Sequence, residues 1–414
     1  MFNRSSIIPA AVAAVLLGSV GGISFAKDKK DEAPAAKPPT VSKPLMKPLT
    51  ASQVASKAEK WPECLAAARE ADALPDKTAY DTYVVNEMIG FCAVRANDNA
   101  TAALAFEKLL DSEFTDAARK SSLLRSLMQL SYMAKNYPKA IEFGNRAIRE
   151  GSANDEIRLL IAQAYYLQPD YKGTMSFIEG WVAETEKAGG VPSDNTLGLF
   201  LSSCVKLEDD ACMMRALMKQ AAYHPKPETW NNLVALLLRS ATDDGILEVY
   251  RLASEVDAMR RGEDYLEMAQ LATDRGLPGE AEAALQAALA KKNFADPKSA
   301  EAAARMLATA KTQAAADKAT LSKQAQAASG KSGQVDVRMG QAFLSYGQYP
   351  EALAAIQRGI GKGTIKNMAE AQLALGHTYL RMGNKPEALK AFNSVKGDEL
   401  MTRLASLWAL QARS

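Results

Sequence analysis

Residues 369–393 read AEAQLALGHTYLRMGNKPEALKAFN, and this stretch decides the fold. Leu375-Gly376, Tyr379, Gly383, Ala388 and Phe392 stand at offsets that give each of two helices a small residue, where the backbones must approach closely. The larger residues between them supply a buried face. Pro386, in the turn Lys385-Pro386-Glu387, falls in the first turn of the second helix, where a missing N–H costs least.

The same pattern recurs upstream at Met339-Gly340, Phe343, Gly347, Tyr349, Ala352 and Ile356, and again at Met268-Ala269, Gly276, Ala281, Leu285 and Ala288. Carried back through the chain, units start near residues 45, 83, 121, 155, 193, 227, 262, 297, 333 and 369, with spacings of 34 to 38. A near-constant period of this size is the mark of stacked supersecondary units. The motif resembles the tetratricopeptide repeat, a helix–turn–helix unit of about 34 residues. The resemblance covers nearly all of the chain after its first 48 residues.

What the resemblance implies is an all-α fold, a right-handed α-solenoid of about ten helix–turn–helix units. The expected divisions are N-terminal repeats over 49–190, degenerate central repeats over 191–296, an Ala/Gln/Lys-rich helical unit over 297–332 and C-terminal repeats over 333–399. Gly189-Gly190-Val191-Pro192 marks a loop between the first two blocks, and residues 291–332 read as a second soft joint. Residues 400–414 repeat Leu404, Leu407, Trp408 and Gln411 at helical spacing and read as a capping helix. A solenoid needs such a helix to close its exposed end.

The amino terminus sets the expected compartment. Met1–Arg4 carries one positive charge, Ile7–Val20 is apolar, and Ser24-Phe25-Ala26 precedes the charged Lys27-Asp28-Lys29-Lys30. That is the three-part layout of a secretory signal over residues 1–26, with cleavage after Ala26. The apolar stretch is short for a span of about 20 residues, and no later segment resembles one. A periplasmic or secreted protein with no integral span after cleavage is expected. Residues 27–48, rich in Lys, Pro and Ala, read as a disordered linker.

Composition excludes several classes. Fifty Lys+Arg against 48 Asp+Glu give a net charge of +2, and no basic cluster points to nucleic acid. Two histidines, His224 and His377, leave little for a metal site or a His-dependent triad. Glu208-Asp209-Asp210 reads as a solvated turn, and Gly359-Ile360-Gly361-Lys362-Gly363 lacks the preceding strand of a phosphate loop. No catalytic residue, cofactor or metal is expected. A cell-wall lytic enzyme would need a repeat-free block of roughly 150 residues, comparable to an ordinary domain, and the register leaves no such gap.

Four cysteines in an oxidising compartment allow three pairings, and their sequence alone does not choose. The repeat register implies two of the bonds. It sets Cys64 on the second helix of one unit against Cys92 on the first helix of the next, and Cys204 opposite Cys212 across one tight turn.

Repeats of this family are mostly protein-interaction scaffolds, so the implied function is an exported adaptor that gathers or presents envelope proteins. A peptidoglycan- or polysaccharide-binding module is the alternative. In the family the first helix of each unit lines the concave groove, and its position 9 often points inward. Here that position holds Phe91, Gln129, Gln163, Leu201, Ala235, Gln270, Arg305, Gln341 and His377. Glutamine offers both donor and acceptor to an extended peptide. Arg125, Gln129, Tyr132, Gln163 and Tyr166 are therefore expected to form one partner-binding patch on the concave surface. The family's Lys and Asn arrangement for clamping a carboxylate matches none of the units.

Overall fold

The computed structural model describes residues 39–241, 245–328 and 332–413. The expected signal segment and the linker as far as residue 38 lie outside them. Every regular element among the described residues is an α-helix, twenty in all. The described residues form two compact units, one up to Thr115 and one from Asp116 onward.

The first unit holds α1 (Lys43–Lys57), α2 (Trp61–Asp72), α3 (Ala79–Arg95) and α4 (Asn99–Leu110). Consecutive helices pack on one another, and α1 also touches α3. The expected linker ends too late, because α1 already starts at Lys43. Pro44 lies at the helix start, where its lost donor has no partner to miss, and Leu45 and Leu49 are buried. Each such burial stabilises by about 1.5–3 kcal/mol, which outweighs Pro48 inside the helix. The Ser42 backbone N–H and hydroxyl donate to the two carboxylate oxygens of Asp81 at 2.8 and 2.6 Å. Burial alone would raise the Asp81 pKa, but the bonds from Ser42 and Thr78 hold it down to about 2.

The second unit holds sixteen helices. They are α5 (Ala117–Met133), α6 (Tyr137–Arg149), α7 (Asp155–Leu167), α8 (Tyr171–Lys187), α9 (Asp194–Lys206), α10 (Asp210–Tyr223), α11 (Pro227–Ser240) and α12 (Ile246–Glu255). Then follow α13 (Gly262–Asp274), α14 (Pro278–Lys291), α15 (Pro297–Ala328), α16 (Gly333–Ser345), α17 (Tyr349–Lys362), α18 (Met368–Arg381), α19 (Lys385–Asn393) and α20 (Glu399–Arg413). Each expected repeat start falls within four residues of the start of a first helix, from α1 through α18.

The turn that ends each first helix explains one motif position. Gly276, Gly347 and Gly383 have φ of 72°, 71° and 74°, the left-handed region glycine enters without penalty. Degenerate units put Glu59, Asn97 and Lys135 at the same place, with φ of 56°, 58° and 60°. Short polar caps then start the next helix: the Asn136 and Asp170 side chains accept from the backbone N–H groups of Lys139 and Gly173.

One expectation is corrected in this unit and another extended. The unit from 297 is no helix–turn–helix: α15 runs unbroken through 32 residues, and Gly330 of the expected soft joint lies outside the described residues. Lys311 occupies the turn position there, and the Ala, Lys and Gln around it are strong helix formers, so nothing stops the helix. The described helices therefore make nine pairs, with α15 and α20 single. The capping helix α20 does more than close an end, since it packs on α18 and α19 and also on α12 and α10. The last repeats are thereby joined to the middle of the unit.

Both disulfides are present. Cys64 and Cys92 have Cα atoms 5.7 Å apart, and Cys204 and Cys212 5.3 Å. The first lies under Ser52, whose hydroxyl donates to the Cys64 carbonyl at 2.8 Å. The second belongs to a buried cluster with Ile178, Leu197 and Phe200.

Candidate functional site

Asp116 and Asn154 cap α5 and α7, accepting from the backbone N–H groups of Arg119 and Ile157. The two helices touch directly as well as through α6. Their buried faces carry Leu123, Leu127, Ile157 and Ile161. On α5 the expected site residues Arg125, Gln129 and Tyr132 recur at helical spacing along one face, and on α7 Gln163 and Tyr166 do the same. All five are partly exposed.

One hydrogen bond joins the two sets: the Tyr132 hydroxyl donates to Gln163 Oε1 at 3.2 Å. Burial, then the neighbouring Tyr137, raises the Tyr132 pKa, so this hydroxyl stays a donor at neutral pH. The ring of Tyr132 meets Tyr137 edge-on at 5.9 Å, and Tyr166 meets Tyr171 at 5.2 Å. Arg125 Nε is buried with no hydrogen-bond partner among the described residues. The face thus offers guanidinium and amide donors beside aromatic rings.

Three other position-9 residues are already engaged, and a fourth is buried. Gln270 donates to Asp274 and Gln341 to Glu370, each at 2.9 Å. Arg305 pairs with Glu301 at 3.7 Å, and His377 is buried. The register also missed an apolar row. Met133, Leu167 and Val205, at the C-terminal ends of α5, α7 and α9, are 50, 45 and 52% exposed. Their common repeat position was the available signal.

The Gly359–Gly363 run is a helix end, as its sequence indicates: Lys362 pairs with buried Asp336 at 2.5 Å, and Gly363 closes α17. Burial works against the Asp336 carboxylate, and the bonds from Lys362 and Arg358 hold its pKa low. Asp209 of the acidic run caps α10 through the Cys212 N–H.

A second polar group, invisible in the register, lies inside the second unit. Arg251 Nε and Nη2 donate to the two oxygens of Glu280, both at 2.7 Å, and Nη1 donates to Glu248 Oε1. His377 Nε2 stands 3.9 Å from Glu248 Oε2, and the His377 ring lies 4.4 Å from that of Trp408. These residues come from three different pairs of the array and from α20, so no local spacing announces them.

No group of three or more metal-ligating side chains occurs among the described residues. None of their helices is long and apolar enough to cross a membrane.

Residues 93–155 and 337–399 match the family model of the tetratricopeptide repeat. These two stretches carry the tetratricopeptide repeat, and such repeats support a protein–protein interaction scaffold. Among solved structures it is similar to a tetratricopeptide repeat protein from Parabacteroides merdae, at 12% identity and a TM-score of 0.29, over 89% of this chain and 99% of that one. It is similar also to the TPR2AB-domain:pHSP90 complex of yeast Sti1, at 13% identity and a TM-score of 0.25, over 72% and 100%. No curated protein sequence matches the chain.

Proposed function

We propose that the protein is an exported, non-catalytic scaffold of a bacterial cell envelope that holds an extended segment of a partner protein against α5 and α7. The observation that carries this reading is the Tyr132–Gln163 bond that joins the two helices, each of which also bears an exposed apolar side chain near its end, Met133 on α5 and Leu167 on α7. Single exposed apolar residues are ordinary, whereas their recurrence at one repeat position, on helices that also carry partly exposed aromatic rings, is what a binding surface offers. The amide donors of Gln129 and Gln163 suit the carbonyl oxygens of a peptide backbone. The signal-like residues 1–26 support export, with the envelope as the place where partners are met.

Copurification from envelope extracts tests the proposal. Wild-type protein recovers a defined partner, and the double variant Arg125→Ala, Gln129→Ala recovers at least tenfold less at equal thermal stability. Unchanged recovery of every partner contradicts the site. Cosedimentation with purified peptidoglycan at wild-type affinity by both proteins, with no protein partner, would favour the polymer-binding alternative. Amino-terminal sequencing of the mature chain, expected to begin at Lys27, tests export separately.

A further inference from the structure

Between α12, α14, α16, α18 and α20 lies a cavity of about 300 Å³, a volume in the range of small-ligand pockets. It exists because α20 crosses to α12 and closes the space that the repeats curve around. Met268, Ala284, Leu344 and Leu380 make an apolar wall. Arg251, Glu280, His377 and Trp408 make the polar side.

Around that polar side three buried atoms have no hydrogen-bond partner: Glu248 Oε2, His377 Nε2 and Trp408 Nε1. Their residues are 3, 8 and 3% exposed. Leaving such groups unpaired costs about 1–3 kcal/mol each, more for a charged one. One of the three is a carboxylate oxygen, an acceptor, and one is an indole N–H, a donor. A ligand that satisfies all three must both donate and accept.

Charge narrows the class. Arg251 lies between two carboxylates, Glu248 and Glu280, which leaves one formal negative charge. The charged neighbours cancel, Arg381 against Glu255 at 2.6 Å and Arg275 against Glu370 at 3.8 Å. Burial, then the Arg251 guanidinium, depresses the His377 pKa to about 3, so the imidazole is neutral and supplies no balancing charge. The site lacks one cation. Glu248 Oε2, behind the cavity wall, and His377 Nε2, on it, are 3.9 Å apart, a separation that lets one nitrogen reach about 2.9 Å from both.

We propose that this cavity binds the free amino terminus of a peptide, with the α-ammonium between Glu248 and His377, the first carbonyl accepting from the Trp408 N–H, and the first side chain, aliphatic, against Met268 and Leu344. The three donors of an ammonium match the two acceptors with one to spare. This site is separate from the α5–α7 face, and either can fail without the other.

Calorimetric titration of the full chain with leucinamide, N-acetyl-leucinamide and leucine tests it. Leucinamide is expected to bind at one saturable site, with affinity at least tenfold lower once the amine is acetylated. Free leucine, which brings a carboxylate into a site already carrying a negative charge, is expected to bind at least tenfold more weakly than leucinamide. Glu248→Gln is expected to cost at least tenfold as well. Ala287→Leu, on the cavity wall and only partly buried, blocks binding without touching the ion pairs, and serves if the first variant does not fold. Absence of saturation at millimolar leucinamide, equal binding of the acetylated compound, or unchanged binding in Ala287→Leu would overturn the proposal.

Discussion

Gly376 lies against the ring of Phe392 so closely that a Cβ built on the glycine would come within 2.3 Å of it. Gly90 and Phe106 repeat the relationship at the same distance in the first unit. The small residue of the first helix and the aromatic of the second are therefore one device, and it sets how closely these two helix pairs pack.

Two effects of opposite sign compete in Gly376→Ala. Alanine favours a helix by about 1 kcal/mol over glycine, while overpacking a filled core costs about 1–3 kcal/mol. The Phe392 ring cannot retreat, being held by His377 and Trp408 at centroid distances of 5.7 and 6.1 Å. Net destabilisation of about 1–2 kcal/mol is expected from urea unfolding. Gly180 of α8 has open space around it, and Gly180→Ala should stabilise by about 0.5–1 kcal/mol.

Lys135 occupies the left-handed turn position that glycine fills in the better-formed units. A non-glycine residue there costs about 1–2 kcal/mol, and glycine gives part of that back in unfolded-state entropy. Lys135→Gly is expected to raise stability by about 0.5–1 kcal/mol. A loss in the same unfolding assay would refute this account of the turn.

The disulfides close loops of different length, with sequence separations of 28 and 8. Loop entropy gives about 3–4 kcal/mol for the first and about 2–3 kcal/mol for the second. Replacing Cys64 and Cys92 together by alanine should therefore lower stability more than replacing Cys204 and Cys212. Unreduced protein, unfolded and treated with a thiol-alkylating reagent, should gain no mass.

His377 makes stability fall in acid. Its pKa drops from 6.5 to about 3 on folding because burial opposes its charge. Between those values the unfolded chain binds a proton that the folded chain does not, so unfolding gains as pH falls. Against His377→Gln, the wild type should lose about 1.4 kcal/mol per pH unit between pH 6 and pH 4, and the difference should be flat above pH 7. A flat difference throughout would show the imidazole protonated or exposed in the folded state.

The helix pairs and the cysteine partners were legible in the sequence because each depends on residues within one unit or in adjacent units. Gly376, Gly383 and Phe392 report contacts and turns a few residues away, and the period carries them along the chain. The unbroken α15 was not legible from the period, which continues through 297 although no turn former stands at Lys311. Leu45 and Leu49, two apolar residues in a proline-rich stretch, were outweighed by their neighbours in composition yet anchor α1. The meeting of Glu248, His377 and Trp408 could not be read, since it depends on α20 crossing to α12. As for the α5–α7 face, its residues follow from the register, and Tyr132 reaching Gln163 is the part that geometry adds.

The central claim is that the face of α5 and α7 holds a partner. A photoreactive amino acid placed at Gln163, and in a separate strain at the exposed Lys311 of α15, tests it in living cells by irradiation and mass spectrometry of the adducts. The expected result is one discrete crosslinked protein from the Gln163 position and none from Lys311. The same adducts from both positions, or no adduct from Gln163, would contradict it.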